Sequence, residues 1–199
     1  MIVIIDYGAG NLFSVRNALN YLGFDNKISR EKADLEQADG LILPGVGAFP
    51  DAMEMLRSCG LVDTVRREAL KKPFLGICLG MQMLFDESFE FRQAEGLGLI
   101  PGKVDLIRCA YKIPLMGWNH LRIHKDSALL KGVPEGSSVY FVHSYMAYTD
   151  PENISADCEY GADIPALVER GSVYGAQFHP EKSGEVGLTI LKNFGGLTR

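Results

Sequence analysis

The sequence lacks the features that mark membrane proteins, zinc proteins and nucleic-acid-binding proteins. Its first apolar stretch, Met1 to Ile5, is interrupted at Asp6, and no run of about 20 apolar residues follows. The four cysteines form no C-x-x-C pair, which argues against structural zinc and for free thiols. The net charge is −5, without a basic cluster to neutralise a phosphate backbone. These absences predict a cytoplasmic protein that binds neither membranes nor nucleic acid.

The first half of the chain shows strands alternating with helices. The 199 residues, 47% of them hydrophobic, suit a single domain over residues 1–199. Short apolar runs predict buried strands, and each run leads through glycines into helically spaced apolar residues. The runs are Ile2–Ile5, Gly40–Leu43 and Phe74–Ile77, and a helix-like segment from Leu79 to Phe85 follows the last of them. This alternation predicts an α/β fold with a doubly wound, mostly parallel sheet flanked by helices.

The second half is predicted to be rich in strands. Strand-like runs separated by turn residues lie at Val104–Ile107, Asn119–Ile123, Val139–Val142, Ala166–Glu169 and Val173–Phe178. Helical spacing then returns from Glu185 to Phe194, and we expect this last helix to pack on the same sheet.

Cys78 is the candidate nucleophile. It stands between Gly76 and Gly80, where an apolar strand should turn into a helix, and this pattern is typical of a nucleophile elbow. The start of a helix also provides free amides and a positive dipole end, which favour a thiolate. The alternative is a buried structural cysteine beside two glycines that packing requires.

His179 is the candidate base for that thiol. It is expected at the end of a strand, where Pro180 stops the ladder and Glu181 follows two residues later. If the chain turns at Pro180, Glu181 reaches the imidazole, fixes its tautomer and stabilises its protonated form. The alternative is a solvent-exposed turn.

The glycine-rich segment Gly45-Val46-Gly47 is neither a dinucleotide-binding fingerprint nor a phosphate loop. Its amides, together with the amide of Leu79, are candidates for an oxyanion hole, although a plain strand-to-helix turn is the alternative. His120 and His124 lie on a strand-like segment without a third ligand nearby, so neither a metal nor another cofactor is expected. His143 is interpreted as a polar residue at a strand end.

With Cys78, His179 and Glu181 in this order, the chain resembles the class I glutamine amidotransferases. The resemblance extends over six blocks between residues 6 and 183. They are Asp6–Asn11, Leu43–Phe49, Gly76–Gln82, Met116–Asn119, Tyr140–Tyr145 and Gln177–Ser183. Three of these blocks, Asp-Tyr-Gly, Pro-Gly-Val-Gly and Met-Gly-Trp-Asn, are more particular to glutaminase subunits that serve a separate cyclase.

The resemblance implies roles that the residues alone do not give. It implies a Cys-His-Glu triad that hydrolyses glutamine, with Gln82, Ser144 and Tyr145 holding the substrate. It also implies a (β/α)8 cyclase subunit that receives the ammonia, in histidine biosynthesis. The interface residues implied for that partner are Asn11, Trp118, Tyr140 and Lys182.

One residue departs from the family pattern. Leu115 precedes Met116-Gly117 where that family has His, so a related glutaminase serving another aminating enzyme, such as one of surface-polysaccharide synthesis, stays open. A stand-alone thiol hydrolase and a noncatalytic ligand-binding module are the remaining alternatives. Glutamine hydrolysis by the isolated chain, and then with a cyclase and its nucleotide, would separate them.

Overall fold

The computed structural model describes residues 1–198, which form an α/β structure with three sheets. The strands are β1 (Ile2–Ile5), β2 (Asn26–Ser29), β3 (Gly40–Gly45), β4 (Phe74–Cys78), β5 (Glu87–Ser88), β6 (Ala94–Glu95), β7 (Lys103–Leu106), β8 (Leu115–His120), β9 (Arg122–Ile123), β10 (Ser138–His143), β11 (Tyr145–Tyr148), β12 (Ile154–Glu159), β13 (Asp163–Arg170) and β14 (Val173–Ala176). The helices are α1 (Leu12–Tyr21), α2 (Lys32–Gln37), α3 (Phe49–Ser58), α4 (Val62–Ala69), α5 (Leu79–Gln82) and α6 (Gly184–Leu197). The predicted fold class is confirmed.

The main sheet has eight strands in the order β2-β1-β3-β4-β14-β13-β12-β9. Its first five strands are parallel, and the last three pair antiparallel. β8 and β10 form a separate two-stranded sheet, and β11, β7, β5 and β6 form a third. Because Gly45 pairs with Cys78 and Ala176 pairs with Ile77, β3, β4 and β14 end side by side at one edge of the main sheet. Ligand sites of open α/β sheets lie at this carboxyl edge.

Alternation along β1 divides the core between the two faces of the main sheet. Ile2 and Ile4 belong to one buried cluster, which also contains Leu191 of α6. Val3 and Ile5 belong to the other, which is closed by apolar residues of α3 and α4. Since side chains of a strand point alternately to opposite faces, a run that is buried at every position predicts a sheet covered on both sides. The expectation that the last helix packs on the same sheet is confirmed.

Two predicted elements depart most from the structure. The segment Asn119–Ile123 is not one strand, because the chain leaves the two-stranded sheet at the buried Leu121 and joins the main sheet at β9. The helix expected from Leu79 to Phe85 is the single turn α5. After it, Leu84 and Phe85 donate backbone hydrogen bonds to residues three positions back, which tightens the chain and buries both side chains.

No helix within residues 1–198 combines the length and the apolar character needed to span a membrane.

Candidate active site

Cys78 lies at the junction between β4 and α5 with φ 54° and ψ −111°. A non-glycine residue with positive φ costs about 1–3 kcal/mol and is retained where the surroundings fix it. Here the strand on one side and the helical turn on the other fix the backbone, and the side chain is 7% exposed. The predicted strand-to-helix elbow is therefore present. Because α5 is only one turn long, its dipole contributes less than the sequence argument assumed.

The glycines around Cys78 are required by close backbone contacts. A Cβ on Gly80 would lie 1.8 Å from the Leu43 carbonyl oxygen, and one on Gly76 would lie 2.5 Å from the Gly80 carbonyl oxygen. A Cβ on Gly45 would lie 2.6 Å from the Gly80 amide nitrogen. The turn after Cys78 is thus pressed against the ends of β3 and β4 with no room for a side chain.

His179 and Glu181 are joined as the sequence argument expected. The Nδ1–H of His179 donates to Glu181 Oε1 at 2.8 Å, and both side chains are buried, with 3% and 1% exposed. Pro180 begins a short 3-10 turn, Pro180–Lys182, which brings Glu181 back to the ring. This bond assigns the proton to Nδ1 and leaves Nε2 for the sulfur of Cys78.

The surroundings of His179 favour its protonated form. Burial alone would lower the pKa of His179, but hydrogen bonds to the Cys78 sulfur and to the Glu181 carboxylate outweigh it. Together they raise this pKa from 6.5 to about 9. At neutral pH His179 therefore carries a proton that it can donate to a leaving group.

A cavity of about 360 Å³ opens beside Cys78 and His179. Of the residues predicted for the oxyanion hole, Val46, Gly47 and Leu79 line it, and of those implied for substrate binding, Gln82, Ser144 and Tyr145 line it. Gly45 does not line the cavity, because it is the last residue of β3 and contacts the backbone of α5 instead. Its role is to allow that approach.

Two ionisable residues that line this cavity, Glu90 and His143, were given no catalytic or binding role by the sequence argument. Glu90 is buried, and its Oε2 accepts a hydrogen bond from the Phe49 amide at 2.7 Å, while burial raises its pKa. His143 is also buried and lines the cavity. Glu90 follows no motif that would mark it. His143 could have been found from the period of the strand, because it lies two residues after the apolar Phe141 and therefore faces the same, buried side of β10.

His143 is held neutral. Its Nδ1–H donates to the Tyr145 carbonyl at 2.7 Å, and Nε2 is buried with no partner among residues 1–198. Burial, with a smaller contribution from the nearby His179, lowers the pKa of His143 from 6.5 to about 4 despite the opposing hydrogen bond to Tyr145.

We expect His143 to make folding stability depend on pH. Because its pKa is lower in the folded chain than in the unfolded chain, its contribution is complete above pH 6.5 and is lost as the pH falls towards about 4. Urea unfolding of the chain and of His143→Gln at several pH values measures this loss. Equal slopes of stability against pH in the two proteins between pH 6.5 and 4 would contradict the expectation.

The residues implied for a partner interface lie near one another, around β10 and the 3-10 turn that follows His179. Trp118 on β8 is 56% exposed, and its ring lies 6.0 Å from that of Tyr140 on β10. The Tyr140 carbonyl accepts a hydrogen bond from the His179 amide at 3.0 Å. Lys182 is exposed on the 3-10 turn, and α1, which Asn11 precedes, packs beside that turn. With 56% of its surface exposed, Trp118 is not part of the core.

Leu115 does not face the same surface as Trp118. It is fully buried on β8 and pairs with His143 across the two-stranded sheet.

Among residues 1–198, no cluster of three His, Cys, Asp or Glu side chains offers a metal site. All four cysteines are free thiols.

Comparison with known proteins agrees with this geometry. The family model described as glutamine amidotransferase class-I matches residues 3–195. The chain belongs to the class-I glutamine amidotransferase family. The chain is 50% identical, over 99% of its length and 95% of the relative's, to the imidazole glycerol phosphate synthase subunit HisH of Bacillus cereus (strain G9842). The subunit HisH of Bacillus anthracis (strain A0248) is 48% identical, again over 99% of this chain and 95% of the relative.

Solved structures support the fold of this amidotransferase. A crystal structure of a glutamine amidotransferase superposes with a TM-score of 0.77 at 22% identity, covering 98% of this chain and all of that one. The structure of PurLQS from Thermotoga maritima superposes with a TM-score of 0.75 at 20% identity, covering 97% and 96%. At these identities the likeness establishes the fold alone.

Proposed function

We propose that this amidotransferase is the glutaminase subunit of an imidazole glycerol phosphate synthase, acting in histidine biosynthesis. The observation that carries the chemistry is the strained Cys78 beside the buried His179–Glu181 pair, at one end of a cavity of suitable size for an amino acid. The 50% identity to curated HisH subunits over nearly the whole of both chains supports the synthase assignment.

In the proposed reaction the Cys78 thiol gives its proton to His179, and the thiolate attacks the carboxamide carbon of glutamine. The tetrahedral oxyanion is stabilised by amides of Val46, Gly47 and Leu79, which line the cavity. The C–N bond then breaks, His179 donates its proton to the leaving nitrogen, and ammonia departs from a γ-glutamyl thioester. His179 next takes a proton from water, and the resulting hydroxide attacks the thioester. The C–S bond breaks, His179 returns the proton to the Cys78 sulfur, and the new carboxyl group ionises as glutamate is released.

The cavity offers complementary groups for both ends of the substrate. Glu90 supplies a carboxylate for the α-ammonium group, and Gln82 adds an amide oxygen, because both of its amide hydrogens are donated to protein acceptors. Ser144 and Tyr145, at the turn between β10 and β11, are proposed to hold the α-carboxylate.

The two-stranded sheet supplies the proposed docking surface for a (β/α)8 cyclase subunit. Met116 is 63% exposed beside Trp118, and both lie on the outward face of β8. Exposed aromatic and methionine side chains of this kind are enriched at protein interfaces. Ammonia released to bulk water would be diluted and protonated, so coupling to a partner requires a route closed to water.

Measuring glutamine hydrolysis tests this proposal. The isolated chain is compared with the chain plus the cyclase subunit, with and without the cyclase's nucleotide substrate. We expect weak hydrolysis by the isolated chain and strong stimulation when partner and nucleotide are both present. Full activity in isolation would instead indicate a stand-alone hydrolase, and no hydrolysis under any condition would indicate a noncatalytic binding module.

Trp118→Ala is expected to weaken binding of the cyclase about tenfold or more, because buried aromatic anchors carry much of the binding energy at interfaces. Isothermal titration calorimetry measures the affinity, and the coupled synthase assay measures ammonia transfer. Leu70→Ala is the matched control, since Leu70 is a large apolar residue, 71% exposed, at the end of α4. A Trp118→Ala variant that folds, binds and couples normally would contradict the proposed interface.

The departure at Leu115 does not favour a different aminating partner. Because its side chain is buried in the core, replacing the family's histidine there changes packing behind His143 and leaves the exposed face of β8 unchanged.

A further inference from the structure

The side chain of Gln177 contacts the candidate nucleophile, although no step of the proposed reaction uses it. Its Nε2 lies 3.9 Å from Cys78 Sγ, within hydrogen-bonding range for sulfur. Gln177 is fully buried and is not among the residues that line the cavity. An amide that donates to the sulfur from outside the cavity can act on the nucleophile without touching the substrate.

The orientation of this amide follows from one backbone carbonyl. The Tyr145 carbonyl oxygen can only accept, so the Gln82 atom that lies 2.9 Å from it must be Nε2. The second hydrogen of that Nε2 is directed at Gln177, 3.0 Å away, which must therefore present Oε1. Gln177 then has only its Nε2 to direct at the sulfur. Gln82 thus donates to both the Tyr145 carbonyl and Gln177, and Gln177 donates to Cys78.

A donor in this position distinguishes the two protonation states of the sulfur. A thiolate accepts a hydrogen bond more strongly than a thiol does, because the acceptor is charged. We propose that Gln177, oriented by Gln82, is a positioning residue that stabilises the Cys78 thiolate and aims the sulfur at the cavity. This inference rests on the proposed role of Cys78 as the nucleophile.

The contacts also assign different kinetic effects to the two glutamines. Gln82 lines the cavity and donates to Gln177. The side chain of Gln177 does not line the cavity, and it contacts Gln82 and the Cys78 sulfur. Removing the Gln177 amide should lower kcat with little change in KM, and removing the Gln82 amide should also raise KM.

The test is the pH dependence of Cys78 alkylation by iodoacetamide, followed by mass spectrometry of the Cys78 peptide in the full chain. The Gln177→Met variant keeps the length of the side chain without the donor. We expect the midpoint of its alkylation rate against pH to move about half to one pH unit upward. In Gln177→Glu, which keeps the shape and places a carboxylate oxygen against the sulfur, we expect a larger upward shift. No glutamine is present, so the result does not depend on whether the chain is a glutaminase.

Gln37→Met and Gln37→Glu are matched controls, because Gln37 is exposed on α2 and they repeat the same chemical changes away from the site. Thermal unfolding verifies that each variant is folded, and if Gln177→Met does not fold, the isosteric Gln177→Glu decides. An upward shift at position 177 without one at position 37 supports the proposal. An unchanged midpoint in the folded position-177 variants, or an equal shift at position 37, overturns it.

Discussion

Cys78→Ala is expected to abolish glutamine hydrolysis, with a loss of at least about a thousandfold, because no other group in the cavity can form the thioester. The same variant, in complex with the cyclase subunit, should still use added ammonium salts, since the partner's chemistry needs only ammonia. A glutamine-dependent assay and an ammonia-dependent assay on one preparation measure both. Cys109→Ala is the matched control, because Cys109 is another free thiol outside the cavity.

The two assays separate a lost nucleophile from a lost fold. If Cys78→Ala lost both activities, the complex itself would be damaged, and circular dichroism would show whether the chain is folded. If it retained glutamine hydrolysis, Cys78 would not be the nucleophile.

His179→Ala is expected to lower glutamine turnover about a hundredfold or more, the usual cost of losing a general acid and base. The physical reason is the leaving group. Without the proton held at His179, the nitrogen must depart as an amide anion or be protonated by a water molecule. Steady-state kinetics with glutamine, in the presence of the partner, measures kcat.

His124→Ala is the control for this second variant. His124 is exposed just after β9, the edge strand of the main sheet, and its Nε2 lies 2.9 Å from Asp157 Oδ2, outside the cavity. This control variant should retain near-normal turnover. Near-normal turnover in His179→Ala would remove His179 from the proposed reaction.

The fold was predictable where the core is most regular. β1, β3 and β4 are buried at every position, so their apolar runs stand out without any knowledge of tertiary contacts. β2, with the sequence Asn26-Lys27-Ile28-Ser29, was not predicted, because an edge strand half exposed to solvent has no such run. The division of Asn119–Ile123 between two sheets depends on long-range pairing that no local pattern encodes.

Site residues were predictable where local geometry restricts the residue type. Gly76 and Gly80 flank Cys78 because a Cβ would collide with backbone, and this requirement is visible as a pattern in the sequence. Glu181 could be assigned to His179 because a single proline, Pro180, separates them. Gln177 begins the block Gln177–Ser183, but the sequence gives it no role, because its contact with Cys78 joins residues 99 positions apart. Glu90 likewise reaches the cavity through the packing of the β5–β6 segment.

The claim on which the account depends is that glutamine hydrolysis passes through an acyl group on Cys78. The complex with the cyclase subunit and its nucleotide is mixed with glutamine, quenched in acid during turnover and digested, and the Cys78 peptide is weighed by mass spectrometry. The account predicts that this peptide carries a γ-glutamyl group that hydroxylamine removes, and that the peptides of Cys59, Cys109 and Cys158 are unmodified. Steady turnover of glutamine with no adduct on Cys78, or with the adduct on another cysteine, would contradict it.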